Sequence, residues 1–395
     1  MSKNIVFCAD GTWNGPGQPD GDSTSNPASN VFKLFLHLAG IDEAGTTRLA
    51  KEQERSLTEG GSVAQAAKYL HGVGDSDNFL ARILGGALGA GLITRIVRGY
   101  TFVSRSHVPG DRVYLVGFSR GAYTARALAG MISAKGLLDP AALDLNDKEN
   151  AYRLGTAVWN QYRQEMLAAS GRPLDRLRAL VRDLPGFLRD PPPAISLVPA
   201  PIEAVGVWDT VGALGIPIFD NRMGTIDVFR FADTVLSENV KHGRQAISID
   251  EQRASFTPTL WDPDPRITQV LFPGAHADVG GGYTTSDNES GLSDCALGWM
   301  TRELAGLGVH FAAAPLIPET PDPAGPAHEP WVEPEWLALP RGPRLHPAGL
   351  ALSQAVLDRL AAGPVMPEFG NYGPSNIGPY LNGSAAAPGV KIVPI

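Results

Sequence analysis

Ser119, Asp209 and His276 are the side chains whose types and settings could together carry out nucleophilic chemistry. A serine hydroxyl is a poor nucleophile until an imidazole takes its proton, and that imidazole works only when an acid holds it in the right tautomer. Ser119 lies in Gly-Phe-Ser-Arg-Gly, residues 117–121, the single Gly-x-Ser-x-Gly of the chain. In that pattern Gly117 and Gly121 allow a turn sharp enough to push the hydroxyl out at a strand end. The run RVYLVG before it reads as a strand. After it, Ala122, Ala125, Leu128, Ala129 and Ile132 recur at helical spacing, and Gly136 stands where that helix should end. Asp209 closes the apolar run IEAVGVWD, and His276 follows ITQVLFPG in a loop shaped by Pro273, Gly274 and Gly280 to Gly282.

The order Ser, Asp, His is that of α/β hydrolases. Acyl transfer also needs two backbone N–H donors for the oxyanion. The residue after the nucleophile, Arg120, would give one. The loop after the first apolar run, IVFCADGTWN, could give the other from Gly11 or Thr12, with Asp10 fixing that loop by accepting its N–H groups. Among the other histidines, His71 is the serious spare for the base, because it too closes a strand-like run. Asp278 and Asp10 are the spare acids.

These residues need elements that bring them to one edge. Apolar runs at 4–9, 63–70, 112–117, 202–208 and 267–272 predict strands, and most are followed by a small or polar loop and then helix-like sequence. The alternation predicts an α/β fold: a mostly parallel, α/β-hydrolase-like sheet with helices on both faces. Residues 139–193 alternate charge and leucine up to Pro191, which predicts a helical insertion. Sixteen of the 33 prolines lie beyond residue 310, so an irregular segment over 311–395 is expected, packed on the catalytic domain of 1–310.

The composition excludes several classes. A net charge of -8 with 43% hydrophobic and 19% charged residues describes a soluble globular protein without the basic stripe of a nucleic-acid binder. Cys8 and Cys295 are the only cysteines, too few for a disulfide framework, and both read as small core residues. MSKNIVF runs straight into a strand, with none of the marks of a signal peptide, so a cytoplasmic location or export by another route is expected. The segment 79–103 is apolar, but Arg82, Arg95 and Arg98 leave twelve uncharged residues in a row, too few to span a bilayer. Its Gly85, Gly86, Gly89 and Gly91 predict close helix packing or a mobile lid, with packing favoured over a membrane-touching role.

The motifs FCADGTWN, YLHGVGDSD, GFSRGAYTAR, VWDTVGALG, LSENVKHGRQAISIDEQRASFTPTLW, FPGAHADVGGGY and LHPAGLALSQAVLDRL occur in this order over most of the chain. Together they resemble the catalytic domain of the type VI secretion phospholipase effectors. The resemblance implies an α/β hydrolase with Ser119 as nucleophile, Asp209 as acid and His276 as base. It further implies hydrolysis of esters or phospholipids without a cofactor, transient contact with a membrane surface, and an immunity or secretion partner if the protein is an effector. The larger effectors add a membrane-anchoring region, whereas this chain is expected to stop soon after the catalytic motifs.

Other chemistries meet obstacles in the sequence. A haloacid-dehalogenase-type phosphatase needs an Asp where Cys8 stands. A Gly-Asp-Ser hydrolase could use residues 21–23 or 74–76, but no histidine has an Asp three residues before it. A metal-dependent phosphoesterase could gather Asp10, Asp209, His276 and Asp278 at strand ends. A small-ester carboxylesterase would use the same triad, and a non-enzymatic binding module would use the same fold.

Overall fold

The computed structural model describes residues 2–11, 27–45, 52–72, 87–169, 195–211, 234–334, 336–337, 339–367 and 370–395, with the backbone alone for 87–90 and 167–169. Ten strands of these residues form one sheet: β1 (Asn4–Ala9), β2 (Ile41–Asp42), β3 (Glu52–Glu59), β4 (Ser62–Leu70), β5 (Arg112–Phe118), β6 (Ile202–Trp208), β7 (Val240–Ser248), β8 (Ile267–Phe272), β9 (Ala351–Ser353) and β10 (Ile392–Val393). Their order is β10-β9-β8-β7-β6-β5-β1-β4-β3-β2. Every pairing from β10 to β4 is parallel, and β4-β3-β2 closes one edge antiparallel.

Strands buried on both faces read as continuous apolar runs, because each alternate side chain meets a different helical layer. In β1, Ile5, Phe7 and Ala9 join a core with α2 (Ala87–Ser106), α3 (Arg120–Lys135) and α4 (Lys148–Ala169). Val6 and Cys8 point the other way, into a core with α1 (Asn30–His37) and α6 (Gly291–Gly306). Cys8 and Cys295 are both buried and free. The five predicted strands are all present.

The chain leaves β1 for β4 on one side and returns through α2 to β5 on the other. The carboxyl ends of β1 and β5 therefore flank a point where the strand order reverses, which is where open parallel sheets hold their ligands. This is an α/β-hydrolase-like architecture.

Three regions differ from the sequence reading. The pattern missed β3, because its sequence EQERSLTE is polar: it pairs along its length with β4, and its carboxylates meet cations. Lys68 of β4 bridges Glu52 at 2.7 Å and Glu54 at 3.0 Å, and Arg98 of α2 reaches Glu52 at 2.6 Å. It also missed β7, half of which is polar: Arg244 pairs with Glu303 of α6 at 2.5 Å, and the apolar Ala246 and Ile247 occupy the buried end. Within the proline-rich segment, β9 and β10 extend the parallel sheet, and α7 (Gln354–Ala361) follows β9.

Of the insertion at 139–193, residues 148–169 form α4, and 170–193 lie outside the described residues. No helix among the described residues is long and apolar enough to cross a membrane. The expected close packing of Gly85 and Gly86 also lies outside them, but α2 does approach the sheet closely further along, at Gly99. A Cβ there would lie 2.7 Å from the Phe7 ring and 2.9 Å from Leu128 Cδ2. Gly99→Ala should gain about 1 kcal/mol of helix propensity and lose about 1–3 kcal/mol to overpacking, for a net loss of stability. Urea unfolding would measure it, and a more stable variant would contradict this account of the contact.

Candidate active site

Ser119 stands between β5 and α3 with φ 56° and ψ -121°, a conformation that costs a non-glycine residue about 1–3 kcal/mol. Its surroundings enforce that geometry. The Ser119 N–H donates to the Trp208 carbonyl at 3.1 Å, and Tyr123 N–H donates back to the Ser119 carbonyl at 3.2 Å. A Cβ on Gly117 would overlap the Gly121 carbonyl, and one on Gly121 would overlap the Ala9 carbonyl and lie 2.5 Å from that of Asp10. Both glycines are therefore needed for the start of α3 to press against the ends of β5 and β1. Ser119 is 8% exposed.

Asp209 follows the adjacent strand β6, also at positive φ, and is fully buried. His276 begins the short helix α5 (His276–Gly280) after β8. The His276 Nδ1–H donates to Asp209 Oδ2 at 2.5 Å. Arg344 then clasps the same carboxylate from the proline-rich segment, Nη1 on Oδ1 at 2.7 Å and Nη2 on Oδ2 at 2.9 Å, while Ser248 N–H donates to Oδ1 at 3.0 Å. Burial works to raise the Asp209 pKa, but the Arg344 charge and the His276 hydrogen bond outweigh it and hold the carboxyl well below its ordinary range. Burial lowers the pKa of His276 by more than Asp209 raises it, so the neutral ring is favoured.

Two aromatic rings pack against the imidazole. Phe118, the residue before Ser119, lies with its ring centroid 4.6 Å from that of His276, and Phe256 meets the ring edge-on at 4.9 Å. Phe118 is itself held under α5, since a Cβ on Gly280 would overlap its ring. Glu251 accepts the His276 backbone N–H at 3.2 Å and pairs with Arg253 at 2.8 Å, and the Arg253 guanidinium lies 3.7 Å from the Phe256 ring centroid.

The other predicted residues fall elsewhere. Asp10 is buried beyond β1, where Oδ2 accepts from Ser29 Oγ and Tyr69 OH, both at 2.6 Å, and Oδ1 accepts from Gly11 N–H at 2.7 Å. Burial pushes its pKa up to about 6 against the lowering effect of those donors. Asp10 thus holds the N–H of the residue that follows it. The Gly11 N–H expected to face an oxyanion is instead spent on that carboxylate, a correction to the sequence reading, and Thr12 lies outside the described residues.

Asp278, the other candidate acid, binds other groups than His276 Nδ1. Its Oδ2 accepts from the N–H groups of Ala275 at 2.8 Å and His328 at 2.9 Å, and its Oδ1 accepts from His328 Nδ1 at 2.6 Å. Asp10, Asp209, His276 and Asp278 do not converge as metal ligands, because each carboxylate has its own set of donors. Among the described residues no group of three or more His, Cys, Asp or Glu could hold a metal ion.

A family model for "T6SS, Phospholipase effector Tle1-like, catalytic domain" matches residues 3–303. The chain belongs to this family. It is also 26% identical over 283 residues to an uncharacterized protein of Saccharomyces cerevisiae, a match covering 68% of this chain and 34% of the yeast protein. Among solved structures, an uncharacterized protein from Pseudomonas aeruginosa shares 19% identity at a TM-score of 0.41, covering 79% of this chain and 46% of that one. A Tle1 effector bound to the VgrG spike of a type VI secretion system shares 18% identity at 0.36, covering 72% and 51%. The chain therefore spans about a third of the curated relative and about half of each solved one.

Arg344, Glu251 and Phe256 escaped the sequence reading. Arg344 lies 135 residues beyond Asp209 in a stretch without periodicity, and a buried acid reveals its need for a cation but not which one. Replacing Arg344 by Gln leaves the buried Asp209 carboxylate without its charge partner, which should cost about 3–5 kcal/mol of stability. Thermal or urea unfolding would measure the change, and a loss below about 1 kcal/mol would show that Asp209 does not depend on Arg344.

Proposed function

We propose that this member of the Tle1-like family is a serine esterase cleaving fatty acyl esters, glycerophospholipids among them, through an acyl-enzyme. The observation that carries the reading is the 2.5 Å hydrogen bond from His276 Nδ1 to the ionised Asp209, beside a serine on a strained Gly-x-Ser-x-Gly elbow. Family membership supports the lipid substrate class and a type VI-secreted role, and a secretion or immunity partner is proposed with that role.

In this reading Ser119 Oγ attacks the acyl carbonyl and His276 Nε2 takes its proton. Asp209 stabilises the imidazolium without being protonated itself. The oxyanion is held by the N–H of Arg120 at the start of α3 and by a donor from the loop after Gly11, for which Thr12 is the candidate. His276 then returns the proton to the leaving alcohol, and water activated by the same imidazole releases the fatty acid. Burying acyl carbons contributes roughly 0.8 kcal/mol per CH2, so chain length should matter.

The test is kcat/KM on p-nitrophenyl esters and phospholipid vesicles across pH. Ser119→Ala and His276→Ala should each remove about three to six orders of magnitude, and the double variant should lose little more. The base must be neutral, and burial lowers its pKa, so activity should be full near neutral pH and fall with an acid limb whose midpoint lies below the ordinary histidine value. Near-normal turnover by Ser119→Ala, or a limb shifted upward, would contradict the proposal.

A further inference from the structure

The loop that follows β7, residues 249–256, meets the base and the cation that clasps the acid. Ser248, at the end of β7, donates its N–H to Asp209 Oδ1, while its Oγ donates to the Gly274 carbonyl at 2.8 Å and accepts the Glu251 N–H at 3.3 Å. The Phe256 carbonyl accepts from Arg344 Nη2, and the Phe256 ring packs against His276. Within this loop Glu251 is fully buried. Its Oε2 accepts the His276 N–H at 3.2 Å and Arg253 Nη2 at 2.8 Å, and its Oε1 accepts the Arg253 N–H at 2.8 Å and Nε at 2.9 Å. The Arg253 guanidinium in turn packs on the rings of Phe256 and Trp336, 3.7 and 4.6 Å from their centroids.

A partner for Arg253 alone would not need burial, since an ion pair at a surface avoids the desolvation that a buried carboxylate costs. Burial against the main chain of His276 puts a negative charge where a protonated ring gains from it. Among the described residues the charged groups that act on His276 are Asp209, held by Arg344, and Glu251, held by Arg253. With the ring neutral, these two carboxylates and two guanidinium groups cancel. A proton taken from Ser119 adds one positive charge to that balance, and without Glu251 the charge would form beside an uncompensated Arg253.

We propose that Glu251 is a positioning residue for the base: it anchors the His276 main chain at the start of α5 and offsets Arg253, so that the imidazolium can form. The inference rests on the reading of His276 as general base given above. Burial works to raise the Glu251 pKa, but the hydrogen bonds and charge of Arg253 outweigh it and hold the carboxyl below its ordinary range, so the negative charge is present near neutral pH. Burial lowers the His276 pKa, and Asp209 and then Glu251 act to raise it. Loss of the Glu251 charge therefore favours the neutral ring, and the His276 pKa must fall.

The experiment titrates the His276 ring by 1H–15N NMR in Ser119→Ala protein, with His276→Ala for assignment. In proteins that keep Ser119 it follows kcat and KM on p-nitrophenyl decanoate against pH. Glu251→Gln keeps an oxygen acceptor for the His276 N–H and loses the charge, Glu251→Asp keeps the charge on a shorter stem, and a double variant joins Glu251→Gln to Arg253→Gln. Thermal melting first confirms that each variant folds. Glu251→Gln should lower the His276 pKa by about 0.5–1 unit and the plateau of kcat by about 10- to 100-fold, with the acid limb moved to lower pH and KM changed by less than about threefold. The double variant, with both charges gone, should recover part of the pKa shift.

A His276 pKa within about 0.2 unit of the parent in Glu251→Gln overturns the proposal even if turnover falls, because a structural role alone slows the enzyme without moving the titration. A double variant shifted as far as the single one also overturns it, since Arg253 would then not be the charge that Glu251 offsets. Glu251→Asp should shift the pKa in the same direction by less; should Glu251→Gln not fold, that smaller fall supports the proposal and its absence overturns it. A wild type that cleaves no ester would sink the esterase reading, while the titration in Ser119→Ala protein would still decide the role of Glu251.

Discussion

The burial of the Asp209 carboxylate is the constraint on which the rest of the site depends. Burial of a carboxylate without compensating donors or a counter-charge favours its protonated form, and a neutral Asp209 would stabilise an imidazolium at His276 far less. Arg344 removes that difficulty with a bidentate clasp, and Ser248 adds a backbone donor. The one remaining direction open to Oδ2 is taken by His276. Sequence far from the elbow is thereby tied to it: Arg344 comes from the proline-rich segment, whose strands β9 and β10 are anchored on the outer side of β8.

A second constraint is steric and acts on the serine. The elbow works only because α3 starts in contact with the ends of two strands, which requires hydrogen in place of a side chain at Gly117 and Gly121. The resulting strain at Ser119 is held by hydrogen bonds to Trp208 and Tyr123, so it does not relax when the site is empty. The two constraints meet at Phe118. This residue precedes the serine, stacks near the His276 ring and is trapped beneath Gly280. Packing thus relates β5 to the loop after β8 without any direct bond between the two strands.

Much of this was legible in the sequence, and what was not has physical reasons. The central strands could be read because burial on both faces makes them apolar throughout, and Ser119, Asp209 and His276 each follow such a strand. β3 was illegible because its side chains are polar and their partners Lys68, Arg98 and Arg105 are remote in sequence. The role of Gly11 was misread for a different reason. A flexible residue after Asp10 suggests a donor facing substrate, but Asp10 is buried and must satisfy its own oxygens first, so it captures the nearest N–H. Arg344 shows the same limit from the other side, since tertiary pairing across a proline-rich stretch leaves no local pattern.

The central claim is that this strained serine is a nucleophile activated by the Asp209–His276 pair. The most direct measurement is intact-mass analysis of the purified protein after exposure to a fluorophosphonate probe, followed by peptide mapping. The account predicts one adduct, on Ser119, formed rapidly in the wild type and slowed strongly in His276→Ala. Absence of an adduct on protein that hydrolyses esters, or an adduct on another residue, would contradict it.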